Sequence, residues 1–469
     1  MIQGHGEAEV FARHSAVRSG RVRSGRVRSG RVWSGRVRSG RVGSGRAGHI
    51  ARLRGELQVP MYRDAYALML NTIVNSGLGL LYWIVAARTS SPEDVGRGNA
   101  LISLMLLVSV LTQVDFGQAL IRFLPRAGAG TWGLVLVSYG VAVGLAVLGA
   151  AIAMLWCHFL LDPADPLYVS LPFACWFVVS TAVWSVFSLQ DSALTGLRAS
   201  VWIPLENAAY GVVKLGLLVI VAQTSLADGV FTSWTLPVVA LLVPVNLLLF
   251  RRLIPRHAAS TADPHVPSRQ VLTRYIAGGY VGHLAGQMSS TFLPVLVVQL
   301  LGSAQGGFYL PAQTAFAAMT LLSQAIVSSL VVEAAKDETH APRYAAAMLR
   351  RIAVIVWPAA AVVAVAAPWL LLLFGEEYRE NATVLLQLLM LTVFPKVVTS
   401  LFNTRCRLQN RTGRIAVLQS LQAAVLIGGT ALLAGPVGLT AVGWAALAAE
   451  GIPALLLGPS VVRWLRRGA

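Results

Sequence analysis

Residues 133–156 read GLVLVSYGVAVGLAVLGAAIAMLW, twenty-four residues without one charge. At about 1.5 Å per helical residue such a run is roughly 36 Å long, enough to cross a hydrocarbon core of about 30 Å. Working outward, comparable runs recur from residue 60 to the end, as in AVLQSLQAAVLIGGTALLAG at 416–435. The chain is 56% hydrophobic and only 12% charged, against about 25% charged in soluble domains. The composition therefore specifies an all-α polytopic membrane protein.

Runs and breaks give twelve spans, near 65–87, 97–121, 131–157, 168–194, 203–223, 232–250, 275–300, 307–332, 351–374, 382–403, 414–434 and 438–461. Charge tests that count. Alternate loops carry clusters such as Arg251, Arg252 and Arg256, or Arg405, Arg407 and Arg411, whereas the opposite loops hold Arg88, Arg97 and Arg379. This asymmetry places the rich loops and both termini in the cytoplasm of a bacterial plasma membrane. The arginine bias itself has the look of a GC-rich bacterial genome.

The net charge of +18 has a second source. The first fifty residues hold eleven arginines and two glutamates, hence +9, largely in the repeat VRSGR of residues 17–46. A glycine every fifth residue suits neither helix nor strand, so residues 1–60 read as a disordered basic cytoplasmic tail. Anionic membrane lipids are its expected contact. Without aromatic interleaving, no nucleic-acid partner is expected. An over-extended reading frame, with translation starting near Met61, is the competing explanation. Cys157, Cys175 and Cys406 carry no metal-ligand or disulfide pattern.

The two halves are alike. ARTSSPEDVGRGNALISL joins spans one and two, and QLLGSAQGGFYLPAQTAF joins seven and eight. Matching Gly96 to Gly307 sets an offset of 211 (307 − 96), which also pairs Ser109 with Thr320 and Gln113 with Gln324. Six spans per half keep both halves in one orientation, a parallel pseudo-repeat. The expected organisation is an N-terminal six-helix lobe at 61–250, a cytoplasmic linker at 251–274 and a C-terminal six-helix lobe at 275–469, with substrate between the lobes.

Five segments carry a resemblance: DVGRGNALISL (94–104), DFGQALIRFLPRAG (115–128), QGGFYLPAQTA (305–315), LLLFGEEYRENATVLLQLL (371–389) and PVGLTAVGWAALAA (436–449). In this order and spacing the chain resembles bacterial polysaccharide biosynthesis transporters. These are the lipid-linked oligosaccharide flippases of the multidrug/oligosaccharidyl-lipid/polysaccharide (MOP) exporter superfamily. The resemblance implies two lobes around a central cavity lined by spans one, two, seven and eight. It also implies transfer of a polyprenyl diphosphate-linked glycan to the outer leaflet, for cell-surface polysaccharides such as lipopolysaccharide. Many relatives carry an acid–base pair in span seven, where this chain reads TFLPVLV (291–297).

Polar residues inside spans need partners or a watery cavity. Four stripes meet that description: Asn71, Asn75 and Tyr82; Asn99, Ser103 and Gln113; Tyr280, His283 and Gln287; Tyr309, Gln313, Thr320 and Gln324. Singly each reads as interhelical hydrogen-bond glue; together they read as a cavity lining. Lys214 lies near mid-membrane, on a face shared with Asn207 and Tyr210. It reads as a diphosphate contact or coupling residue, or equally as the partner of Glu206 or Asp191. Lys396 reads as structural. Asp115 with Arg122, and Asp191 with Arg198, are spaced by seven and read as local ion pairs. Arg88 is an interfacial anchor or an exit contact for diphosphate.

No nucleophile elbow, phosphate loop or metal-spaced set of side chains occurs, so neither an enzyme nor a cofactor or metal is expected. The expected function is flipping of a lipid-linked saccharide by alternating access, with H+ or Na+ as candidate coupling ion. Glycan polymerase and glycosyltransferases are candidate partners. Two alternatives stay open: a cation-coupled exporter of small drugs from the same superfamily, and a non-transporting scaffold of a polysaccharide assembly machine. A dry, filled centre would favour the scaffold.

Overall fold

The computed structural model describes residues 60–113, 115–224, 228–261, 267–336, 341–409 and 411–466. The basic tail and the side chains of Tyr280, His283 and Gln287 lie outside that description. The described residues are helical almost throughout and include no strand.

The first lobe comprises α1 (Pro60–Thr89), α2 (Pro92–Gln113), α3 (Phe116–Ala127), α4 (Thr131–Phe159), α5 (Leu171–Gly196), α6 (Trp202–Val221), α7 (Gly229–Leu248) and the short α8 (Ile254–Ser260). The second comprises α9 (Arg269–Leu301), α10 (Ser303–Lys336), α11 (Ala341–Val365), α12 (Ala367–Leu372), α13 (Glu376–Leu408), α14 (Thr412–Val437) and α15 (Thr440–Arg466). Ten segments are long and apolar enough to cross a membrane. With the long α9 and α10 between them, the helices follow the order of the twelve hydropathy runs.

Local chemistry explains the boundaries. The turn between α1 and α2 is two serines, and Ser91 caps α2: its hydroxyl accepts from the Asp94 amide at 3.1 Å and donates to the Asp94 carboxylate at 2.9 Å. Along α4, Ala142, Ala146, Ala150 and Cys157 are buried while Leu148, Ile152, Leu155 and Phe159 are exposed. Small residues face the protein, where helices must approach closely, and large apolar ones face outward, as lipid allows.

Three boundaries differ from the expectation. The second run, expected to continue to 121, breaks at Asp115, whose φ of 62° is left-handed. Beyond it α3 is amphipathic, burying Phe116, Ala119, Leu120, Leu124 and Ala127 on one face and leaving Arg122 and Arg126 outside. The ninth run is divided at Ala366, before Pro368, into α11 and α12. The stretch expected as a linker from 251 is helical as far as Ser260, because α7 continues through Leu249–Leu253 in wider π-type turns into α8.

The helix turns alternate between an arginine-rich end and an arginine-poor end. At the arginine-poor end the lobes meet where α2 crosses α10. A methyl group on Gly96 would overlap the Ser303 carbonyl and the Gly307 amide, and one on Gly307 would overlap the Pro92 carbonyl. Adding 211 to 92 and 96 gives 303 and 307, so the contact is reciprocal between equivalent positions of the two halves. Away from this end the pair separates. Residues 95–105 of α2 and 306–312 of α10 are almost all buried, whereas Leu321, Leu322 and Gln324 further along α10 are exposed. Leu68, Met69, Leu70 and Ile73 on the matching half of α1 are exposed as well.

Candidate functional site

Around the glycine crossing, polar side chains tie the arginine-poor end together. Arg88, at the last turn of α1, donates to the carbonyls of Leu373 at 2.9 Å and Leu372 at 2.5 Å. These carbonyls lie at the C-terminal end of α12, where unpaired acceptors attract a guanidinium. Gln299 of α9 donates to Asp165 in the α4–α5 loop at 2.9 Å. Both contacts join one lobe to the other. Within the first lobe, Arg97 pairs with Asp228 at 2.6 Å and donates to the carbonyls of Pro166 and of Tyr168, the latter at 2.8 Å. Arg88 and Arg97 at the arginine-poor end are thus structural ties.

Among the described residues, three polar centres built on charged side chains lie inside the lobes. The first is Lys214 on α6, 2% exposed. Its ammonium lies 3.6 Å from the ring centroid of Trp234, 4.8 Å from Tyr210 and 5.0 Å from Tyr82. The rings belong to α7, α6 and α1. They brace one another: Tyr82 meets Trp234 edge-on at 5.2 Å, and its hydroxyl reaches Ser233 and the Val230 carbonyl, each at 2.9 Å. Among the described residues no carboxylate pairs with Lys214. An aromatic box replaces the expected pairing with Glu206 or Asp191, because those acids lie about two helical turns nearer the arginine-rich end.

The second centre holds those acids. Gln190 of α5 donates to Glu206 of α6, Asn246 of α7 donates to Gln190 at 2.5 Å, and Asn207 donates to Asp191 at 3.4 Å. The expected Asp191–Arg198 ion pair is not formed. The helix ends at Gly196, and Arg198 leaves it with a left-handed φ of 56°, exposed, so the seven-residue phase is lost. Arg122 stacks over the Tyr275 ring at 4.7 Å, where α9 starts beside α3.

The third centre is Lys396 with Glu450, paired at 2.9 Å between α13 and α15. The other Glu450 oxygen accepts from Thr399 and Gln422, each at 2.8 Å. This is the structural role expected for Lys396.

The remaining polar residues divide. Gln113 donates to Ser109 at 2.8 Å and accepts from Ser188 at 3.4 Å, bonding α2 to α5. Asn99 and Tyr309 are buried and Gln313 is half-buried, near the closed end. Asn71 is half-buried, and Asn75 and Gln324 are exposed, all in the arginine-rich half. Of the described stripe residues, Tyr82 and Gln113 turn into the first lobe. Trp234, Gln190 and Glu450 carry centres that sequence spacing did not single out, since each meets its partners only across distant helices.

Residues 61–243 match the family model described as polysaccharide biosynthesis protein. No curated protein matches the chain in sequence. Among solved structures, the chain is similar to a multidrug resistance MATE family transporter of the MOP superfamily in an inward-facing conformation. That likeness has a TM-score of 0.65 at 14% identity and covers 85% of this chain and 96% of the other. A MOP superfamily transporter from Pyrococcus furiosus gives 0.57 at 14%, covering 88% and 96%. A Vibrio cholerae MATE transporter gives 0.58 at 12%, covering 87% and 97%. Residues 61–243 thus carry the polysaccharide biosynthesis pattern, and over the described residues the chain, with ten segments long and apolar enough to cross a membrane, shares the fold of MATE transporters of the MOP superfamily.

Proposed function

We propose that this chain is a transporter of the MOP superfamily and that it flips a lipid-linked saccharide from the cytoplasmic to the outer leaflet of a bacterial plasma membrane. In this reading the arginine-rich end, with both termini, is cytoplasmic. The observation that carries the substrate class is the polysaccharide biosynthesis match over residues 61–243. The geometry supports the mode of transport. The lobes are pressed together at the arginine-poor end through Gly96 and Gly307, while the other halves of α1 and α10 carry exposed side chains. A headgroup enters from the cytoplasmic side, where Arg122, Arg251 and Arg252 are exposed and attract diphosphate. Its polyprenyl chain stays in lipid beside α1. Rocking about the glycine crossing then opens the opposite end.

The test is flipping of a fluorescent polyprenyl diphosphate saccharide in proteoliposomes, read by an impermeant quencher. Movement well above that in protein-free vesicles is expected; none with any carrier lipid tried would overturn the reading. A second reading, export of small molecules, is favoured by the likeness to multidrug MATE structures. The same vesicles loaded with a cationic dye distinguish it. The enclosed Lys214 ammonium in the first lobe disfavours a second positive charge beside it.

A further inference from the structure

Three helices of the first lobe converge on Leu124, a fully buried residue of α3. The end of α5 is pressed against it: a methyl group on Gly196 would lie 3.0 Å from Leu124 Cβ and 2.9 Å from the Leu120 carbonyl oxygen. From α8, His257 Nε2 donates to the Leu124 carbonyl at 3.0 Å. Leu120, Ala127, Leu194 and Ile254 pack in the same apolar cluster and make the junction rigid. Beside these contact residues in the chain stand Arg126, Arg198 and Arg256, all exposed. Each is turned outward by its own local structure. Arg126 lies on the polar side of α3, opposite Leu120 and Leu124. Arg198 occupies the left-handed cap of α5, where the Ala199 amide donates back to the Leu194 carbonyl at 2.9 Å. Arg256 is on α8, whose Ile254 faces inward.

Among the described residues no acid neutralises these three. The ion pairs there join Arg97 to Asp228, Arg379 to Glu376 and Lys396 to Glu450. Asp191 accepts from Asn207, and Glu206 from Gln190, on the inner side of α5 and α6. The surroundings indicate what kind of anion fits. Trp132 lies in the first turn of α4, just after Arg126, and Trp202 opens α6, just after Arg198; both are exposed. The Trp132 ring meets Phe250, at the approach to α8, edge-on at 4.9 Å. Tryptophan beside arginine at the ends of spans marks the depth of lipid headgroups. A soluble polyanion would engage the guanidiniums and leave the rings unused, whereas a phospholipid engages both.

We propose that Arg126, Arg198 and Arg256 form a binding site for the phosphate of one anionic phospholipid, at the arginine-rich end of the first lobe. Guanidinium groups offer planar paired donors to phosphate oxygens, and Trp132 receives the glycerol end of an acyl chain. These arginines are not the ones at which the transported headgroup is proposed to enter. The site lies within one lobe and does not depend on which substrate is carried.

The experiment is native mass spectrometry of the whole purified protein in mild detergent. It is titrated with phosphatidylglycerol or, with the same chains, zwitterionic phosphatidylcholine. Phosphatidylglycerol should bind tightest at about one per chain, at concentrations where phosphatidylcholine does not bind. Each arginine near an anionic surface is worth about fivefold in affinity, so the triple substitution Arg126→Gln, Arg198→Gln and Arg256→Gln should weaken binding at least about tenfold. A charge-matched triple on exposed residues of the second lobe, Arg407→Gln, Arg411→Gln and Arg414→Gln, should change it less than about twofold. The proposal is overturned if phosphatidylglycerol binds no better than phosphatidylcholine, or if both triples weaken binding alike, as diffuse charge would. It is also overturned if a polyprenyl diphosphate displaces phosphatidylglycerol at equal or lower concentration, which would assign the arginines to the transported lipid.

Discussion

Lys214 and Lys396 are the same side chain in opposite circumstances. A lysine near mid-membrane costs about 2.5–3.5 kcal/mol, and a desolvated cation over an aromatic face recovers about 2 kcal/mol. Trp234, 3.6 Å from the ammonium, supplies most of that recovery, and Tyr210 and Tyr82 at 4.8 and 5.0 Å add less, so the cage roughly offsets the burial. Replacing it by the apolar, similarly sized methionine removes cost and gain together. Lys214→Met should shift stability by no more than about 1 kcal/mol, measured by thermal unfolding in detergent. Lys396 depends on Glu450, whose oxygens are satisfied by Lys396, Thr399 and Gln422. Glu450→Gln strands the ammonium and should cost about 3–5 kcal/mol, with most of it recovered when Lys396→Met is added. A loss from Lys214→Met as large as that from Glu450→Gln would contradict the distinction.

At the scale of elements, the crossing of α2 and α10 depends on absent side chains. Gly96→Ala or Gly307→Ala places a methyl group against partner backbone, which cannot rotate away, and should cost about 1–3 kcal/mol. Gly77→Ala and Gly79→Ala on α1, with no neighbour within 4 Å, should be neutral or slightly stabilising through helix propensity. The same thermal measurement separates them. The sequence carried part of this. Hydrophobic runs locate the crossings and their order, and the 211-residue offset pairs Gly96 with Gly307, which are in contact. It did not carry the break at Asp115, since one left-handed residue leaves the hydropathy unchanged. Lys214 stood out as a lone intramembrane charge, but its cage did not. Trp234 and Tyr82 come from α7 and α1, and no spacing along one chain segment brings them together. The spacing of Asp191 and Arg198 predicts a local ion pair only while the helix continues, and the helix stops at Gly196.

At the scale of the whole molecule, the α2–α10 crossing closes the lobes against each other at the arginine-poor end, while at the arginine-rich end α9 touches the first lobe through Tyr275 and Ile276. Reciprocal glycine contacts, Arg88 on the α12 carbonyls and Gln299 on Asp165 hold the arginine-poor end. Beside these ties the lobes share buried apolar contacts, such as Ala100 and Leu167 with Val295 and Val298, so parting this end exchanges one packed arrangement for another, as switching between two packed states requires. If transport proceeds by alternating access, this junction must open in every cycle. The decisive measurement is transport of the polyprenyl diphosphate saccharide by protein carrying Asp165→Cys and Gln299→Cys, before and after a short thiol cross-linker and again after its reductive release. The account expects flipping by the uncross-linked protein, its loss on cross-linking, and its return on release; flipping at an undiminished rate by fully cross-linked protein would contradict it.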